Sequence, residues 1–249
     1  MTTRKPLPSL LAAASLALVA GCATPGPLHT YTLPAPDAPA IHDTGGDSRT
    51  EVPSFVGEND TVIGFAYDPF TDHFFLRLAP GDRIRVVDRP ARAIKREYLV
   101  PELAGGTAAD LAIRPRDGHV FAPHPHEPAL IEFTRLGKVV RTITLSGTTA
   151  PPAGIALDVA RNELLTLCTG DGASTLHRHR LDGSLVAEQR LPAAAAGPIA
   201  YDSEREELYA PLAGRGAFGV FDRDGQLLRA LADPAAHIDI GPRSFIRVF

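Results

Sequence analysis

The chain has 249 residues, 44% of them apolar and 22% charged, with 25 basic against 29 acidic residues and a formal charge of −4. This is the composition of a soluble globular domain, and the lack of a basic stripe excludes nucleic acid as a partner. A chain of this length buries roughly 70–75% of its unfolded surface, so its core needs no disulfide staples.

Residues 1–21 have the three-part form of a secretory signal. Arg4 and Lys5 supply the positive start, and Leu10 to Ala20 is an apolar run broken only by Ser15. That run is too short to cross a hydrocarbon layer of about 30 Å as a helix. It ends in Val19-Ala20-Gly21-Cys22, which resembles the bacterial lipobox. The resemblance implies cleavage before Cys22, diacylglycerol on its thiol and an acyl chain on its new amino terminus, a permanent membrane anchor. Ala23 follows rather than an aspartate, which by analogy with Gram-negative lipoprotein sorting implies the outer membrane, facing the periplasm. Without Arg4 and Lys5 the balance is 23 basic to 29 acidic residues. Residues 22–50 hold Pro25, Pro27, Pro34, Pro36, Pro39, Gly45 and Gly46. Such composition predicts a semi-extended tether, leaving 51–249 as one folded domain.

Within that domain a short pattern recurs. Ala-x-Asp begins at Ala66, Ala156 and Ala200, and in degenerate form at Ala112, where Arg114 replaces the aspartate; the intervals are 46, 44 and 44 residues. A hydrophobic partner at Phe75, Phe121, Leu165 and Tyr209 keeps the same spacing. A period of this length with strand-like composition is the signature of a β-propeller.

Each unit reads as four strands. The first runs through Val62–Tyr67, Phe74–Leu78, Ile84–Val87 and Ile94–Val100, and the third through Gly154–Leu157, Glu163–Cys168, Leu176–Leu181 and Leu185–Leu191. Asp182-Gly183 and Asp224-Gly225 mark the last hairpins of units three and four, Asp-Gly being a strong hairpin signal. Pro152-Ala153-Gly154-Ile155-Ala156-Leu157-Asp158 and Leu208-Tyr209-Ala210 resemble the NHL and YVTN-type propeller repeats. The resemblance covers about residues 60–232 and implies an all-β propeller of four recognisable four-stranded blades. It says little about activity, because that superfamily includes binding scaffolds, lactonases and lyases.

Residues 233–249 are too few for a whole blade, yet His237–Ile240 and Phe245–Phe249 read as strands. They predict a partial fifth blade completed by an amino-terminal strand, Val52–Val56, since an unpaired strand would be an aggregation-prone edge. A four-bladed or incompletely closed ring is the alternative.

In an up-and-down blade the second-to-third strand loop and the connection to the next blade share one end, which carries the longer, polar loops. That end collects Asp82, His124-Pro125-His126-Glu127, Asp171, Arg215 and the connection bearing Gly105, Gly106 and Asp110. Two imidazoles and a carboxylate within four residues suit a borderline metal. The flanking prolines and the lack of a third matching ligand leave a solvated loop as the plainer reading, with no metal or cofactor assigned. Arg215, between glycines, suits an anionic ligand. His177 and His179 share a strand face, and position 179 aligns with Val87, Phe133 and Phe221, so a partly buried packing role is expected. Cys168, in an apolar strand, reads as a small buried hydrophobe.

Two functions follow. One is a membrane-tethered, non-catalytic propeller that binds an envelope protein, peptide or glycan. The other is a metal-dependent hydrolase or lyase of the lactonase-like propeller type. The lactonase pattern needs Glu, Asn and Asp along the channel, whereas this chain has only Asn59 and Asn162, the latter at the wrong end.

Overall fold

The computed structural model describes residues 28–46, 48–106, 110–170, 173–192, 195–231 and 245–248. The leader, Cys22, Asp171 and His237–Ile240 lie outside the described residues. Among the described residues, twenty strands form five four-stranded antiparallel sheets, and the only helix is a single 3-10 turn at Pro101–Leu103.

Blade I is composite. It takes β1 (His29–Leu33), β2 (Ala40–Gly45) and β3 (Ser48–Pro53) from the amino-terminal side and β20 (Phe245–Val248) from the other, in the order β20-β1-β2-β3. Blade II is β4 (Thr61–Asp68), β5 (His73–Ala79), β6 (Arg83–Asp88) and β7 (Ala93–Leu99). Blade III is β8 (Ala112–Arg114), β9 (His119–Pro123), β10 (Ala129–Phe133) and β11 (Val139–Thr144). Blade IV is β12 (Gly154–Asp158), β13 (Glu163–Gly170), β14 (Ala173–Arg180) and β15 (Leu185–Leu191). Blade V is β16 (Ala200–Asp202), β17 (Glu207–Leu212), β18 (Ala217–Phe221) and β19 (Leu227–Leu231). The innermost strands β20, β4, β8, β12 and β16 touch one another in a closed ring.

Ring closure corrects two expectations. Three amino-terminal strands complete the fifth blade, not the single segment Val52–Val56, and the tether read over 22–50 gives way to strands from His29 onward. The physical reason is alternation. Tyr31, Leu33, Ile41 and Val52 are buried between blades I and II, while the residues between them are polar and dilute the composition. Pro34, Pro36 and Pro39 fall in the β1–β2 loop, where they cost no ladder hydrogen bond.

The core is five layers between adjacent blades rather than one central mass. The repeated hydrophobic partners Phe75, Phe121, Leu165 and Tyr209 each pack against the next blade, and Tyr31 does the same from blade I. Burying each large side chain is worth about 1.5–3 kcal/mol. A β-bulge recurs at Val86/Val87, Glu132/Phe133, Arg178/His179 and Val220/Phe221, which confirms that position 179 is equivalent to 87, 133 and 221.

The topology gives the ring two unlike ends. First-to-second and third-to-fourth turns lie at one, here the turn end. Second-to-third loops and the connections between blades lie at the other, the junction end. At the turn end the repeat aspartates are structural. Asp68 accepts Phe70 N–H (3.1 Å) and Thr71 Oγ1 (2.7 Å), Asp158 accepts Arg161 N–H (3.0 Å), and Asp202 accepts Glu204 and Arg205 N–H (2.9 and 3.0 Å). In blade III the charge is reversed: Arg114 recruits Asp117 (2.6 Å) and the buried Glu132 (2.9 Å). Arg135 crosses to Asp68 and so ties blade III to blade II.

Candidate functional site

The ring axis is the natural place to look first, and its chemistry begins with the repeat alanines. The register pairs Ala66 with Phe75, Ala112 with Phe121, Ala156 with Leu165 and Ala200 with Tyr209; in blade I it pairs Arg247 with Tyr31. Four blades thus place a methyl group on the axis and the fifth an arginine. The small residues leave room for one long side chain.

Arg247 uses that room to bind backbone around the ring. Its Nη1 donates to the carbonyls of Ile199 (2.9 Å) and Ile246 (2.6 Å), and its Nη2 to those of Leu111 (3.0 Å) and Phe65. Its partner is the fully buried Asp110 on the blade II–III connection. The Asp110 carboxylate also accepts the backbone N–H groups of Leu111 (2.8 Å), Ile155 (3.0 Å) and Ile199 (3.1 Å). Every blade therefore contributes a strand or its approach to one hub. Burial pushes the Asp110 carboxyl up to about 6, with Arg247 foremost among the groups that pull it back. It stays ionised at neutral pH.

On the turn-end side of this hub lies a cavity of about 140 Å³. Its walls include Ile113, Pro115, Leu157 and Val159, with Tyr67 and Tyr201 supplying phenols. Burial pushes both phenols up to about 12, so they are neutral donors rather than bases. Tyr67 donates to Asp72 (2.9 Å). An apolar hole of about 150 Å³ accommodates benzene, so this pocket suits one aliphatic or aromatic group. The sequence reading favoured the other end. The signal it passed over is the middle residue of each Ala-x-Asp (Tyr67, Ile113, Leu157, Tyr201), which lines this mouth.

The sequence candidates at the junction end are partly assembled. Asp82 is buried and locked by Arg77, through Nε (2.9 Å) and Nη2 (2.6 Å), and by Gly105 N–H (3.2 Å). Arg77 also donates to the Leu103 carbonyl (2.8 Å) and is fully buried; desolvation lowers its pKa. A side chain added at Gly106 would meet Pro125 at 2.9 Å, so the connection that holds Asp82 abuts the histidine loop. There His124 Nδ1 accepts the N–H groups of its own loop, from His126 (3.3 Å) and Glu127 (3.1 Å). The two rings stand edge-on at 6.4 Å, and His126 and Glu127 are exposed. Arg215 is exposed on the β17–β18 turn of blade V, between Gly214 and Gly216 at φ 69° and 57°, apart from this group. No three His, Cys, Asp or Glu side chains stand together to hold a metal among the described residues.

Two packing expectations need correction. His179 is fully buried rather than partly so, donates through Nε2 to the Ser146 carbonyl (2.9 Å) and stacks on His177 at 5.9 Å. Cys168 is half-buried rather than buried, and desolvation raises its thiol pKa, which disfavours the thiolate. Asn162 closes the β12–β13 turn at φ 58°, at the turn end, as the sequence placed it.

No protein-family profile matches this chain, and no curated protein matches it by sequence. Solved structures do. The chain is similar to a chain of the nidogen/laminin complex, with a TM-score of 0.59 and 12% identity over 89% of this chain and 98% of that one. It is similar also to Myxococcus xanthus glutaminyl cyclase, with a TM-score of 0.55 and 15% identity over 78% of this chain and 92% of that one. At such identities the likeness is one of fold, and with the ring of strands above it makes the chain a five-bladed β-propeller.

Proposed function

We propose that this chain is a lipid-anchored, non-catalytic propeller of the bacterial envelope, with NHL-like repeats, that binds an envelope protein, peptide or glycan through its junction-end loops. The observation that carries the reading is the Asp110–Arg247 hub. It closes the axis on which a ring scaffold gathers reactive groups, and it engages both charges with backbone partners. Asp82 is likewise held by Arg77. Among the described candidate residues, the His126–Glu127 loop and the Arg215 turn stay open at the junction end, polar groups on loops positioned by a rigid scaffold. The fold itself is neutral, since the similar structures include both a named complex and a named enzyme.

Two measurements test it. Labelled palmitate should enter the protein and be lost in Cys22→Ser. A photo-crosslinking residue at 126 or 215 should give one defined envelope adduct, competed by excess unlabelled protein. Stoichiometric metal that disappears in His124→Ala/His126→Ala, together with turnover of a lactone or ester, would replace this reading with the metal-dependent hydrolase.

A further inference from the structure

The second strand of a blade runs from the turn end to the junction end, and β1 is the second strand of blade I. The chain therefore enters the ring at the turn end, at His29. Cys22 precedes His29 by seven residues. Seven residues reach at most about 25 Å at full extension. A tether of 22–50 would have allowed about four times that reach, but from His29 onward this segment is blade I. A lipid on Cys22 thus holds the propeller close, and by one particular end.

That end is apolar. Eight large hydrophobic residues are exposed among the described residues, and seven lie at or beside the turn end. Phe70 (79% exposed), Leu136 (67%) and Val159 (54%) stand on its turns. Ile94, Val140, Val186 and Leu228 are each the second residue of the outermost strand, just past the third-to-fourth turn, in blades II, III, IV and V. Only Leu99 sits towards the junction end. The seven belong to blades II to V, none to blade I, and the axial pocket opens at the same end. Exposed cations stand at the same end at Arg92, Arg116 and Lys138, interspersed with the exposed acids Asp117, Asp182, Glu204 and Asp224. Long basic side chains beside exposed aromatic and aliphatic groups suit a surface with an apolar interior and a polar skin. Gathering so much exposed apolar surface at one end marks a contact face.

We propose that the turn end is a membrane-docking face, lying on the bilayer that carries the Cys22 anchor with Phe70, Leu136 and Val159 in its interfacial region. The proposal rests on the lipid-anchor reading for its geometry. It leaves the junction-end loops pointing away from the membrane.

The test uses lipidated protein in vesicles of phosphatidylethanolamine and phosphatidylglycerol, with a photo-crosslinking residue at 70, 136 or 99. Lipid adducts from 70 and 136 but not from 99 are expected. Equal or absent lipid adducts at all three, with palmitate present on Cys22, would overturn docking and leave the anchor standing. Adducts from 70 and 136 to an envelope protein in native membranes, in place of lipid, would also overturn it, making this end a protein interface. If Cys22 takes no palmitate, the anchor reading fails separately. The mature chain with Cys22→Ser, which carries every described strand, then decides docking alone. Sedimentation with the same vesicles should show binding that weakens about tenfold or more in Phe70→Ser/Leu136→Ser/Val159→Ser, with an unchanged melting curve, and holds in Leu99→Ser. No binding, or equal binding by all three proteins, would overturn it.

Discussion

Arg247→Met is the sharpest perturbation that the hub offers. It leaves Asp110 buried beside three backbone N–H groups without its cation, and it orphans the carbonyls of Phe65, Leu111 and Ile199. Breaking a buried pair from one side costs about 3–5 kcal/mol. At about 2–4 °C per kcal/mol for a chain of this size, the melting temperature should drop by roughly 6–20 °C. The loss has a pH signature. Arg247 is the first of the groups that hold the Asp110 carboxyl down, so its removal lifts the folded pKa above the present value of about 6. A carboxyl with a raised folded pKa contributes stability that is complete below the unfolded value, near 3.8, and is lost as pH rises through the folded one. The variant's deficit against wild type should therefore be clearly smaller at pH about 4.5 than at pH about 8. Asp110→Asn/Arg247→Met keeps an oxygen for Ile155 and Ile199 N–H and buries no lone charge, so it should recover part of the loss. Circular-dichroism melts of the three proteins at both pH values decide it. Equal deficits at the two pH values, or a double variant no better than the single, would refute the hub.

Burial lowers the pKa of both His177 and His179, so the stability they contribute is complete above pH about 6.5 and lost as pH falls through their folded values. His179→Phe matches Phe133 and Phe221 and should lose less urea resistance than wild type between pH about 7.5 and about 5.5; identical losses would contradict this. Tyr31→Ala removes edge-on contacts to Tyr67 (4.6 Å) and Phe74 (4.7 Å) and should cost about 3–5 kcal/mol by urea titration. Deleting residues 23–50 removes β1 and β2 and should abolish the cooperative melt, whereas a true tether would be dispensable. Gly183 (φ +88°) and Gly214 (φ +69°) both occupy the left-handed region, but a Cβ at 183 would lie 2.0 Å from the Thr144 carbonyl oxygen and one at 214 meets nothing. Gly214→Ala should cost about 1–2 kcal/mol from backbone strain and Gly183→Ala measurably more; equal urea midpoints would show that the blade III–IV contact yields easily.

The repeat was legible because blades II to V each solve the same packing problem with the same letters. Ala66, Ala112, Ala156 and Ala200 mark inner strands, and Phe75, Phe121, Leu165 and Tyr209 mark the layer that each blade shows to the next. Blade I solves it with different letters. Thr30-Tyr31-Thr32-Leu33 alternates correctly, but three prolines follow at once and the average composition reads as disorder. His29 facing Asp43 (2.5 Å) echoes His73 facing Asp88 (3.5 Å) and was the one local clue. Arg247 was illegible for a similar reason: within Phe245-Ile-Arg-Val-Phe249 it resembles an exposed edge residue, and only the closed ring reveals that it occupies an alanine position. Asp110 was noticed as a loop carboxylate, but its three backbone donors come from residues 1, 45 and 89 positions away, separations that no local pattern encodes. The axial pocket was illegible because the x of Ala-x-Asp (Tyr67, Ile113, Leu157, Tyr201) follows no common letter, and only the closed ring brings the four positions together.

Blade I has a consequence for synthesis. A ribosome releases β1, β2 and β3 first and β20 after all the other strands, so the earliest segment waits, without its inner neighbour, until the latest one emerges. Until then the growing polypeptide is an arc with two exposed flanks. Closure of the ring is therefore postponed by strand order itself to the end of synthesis.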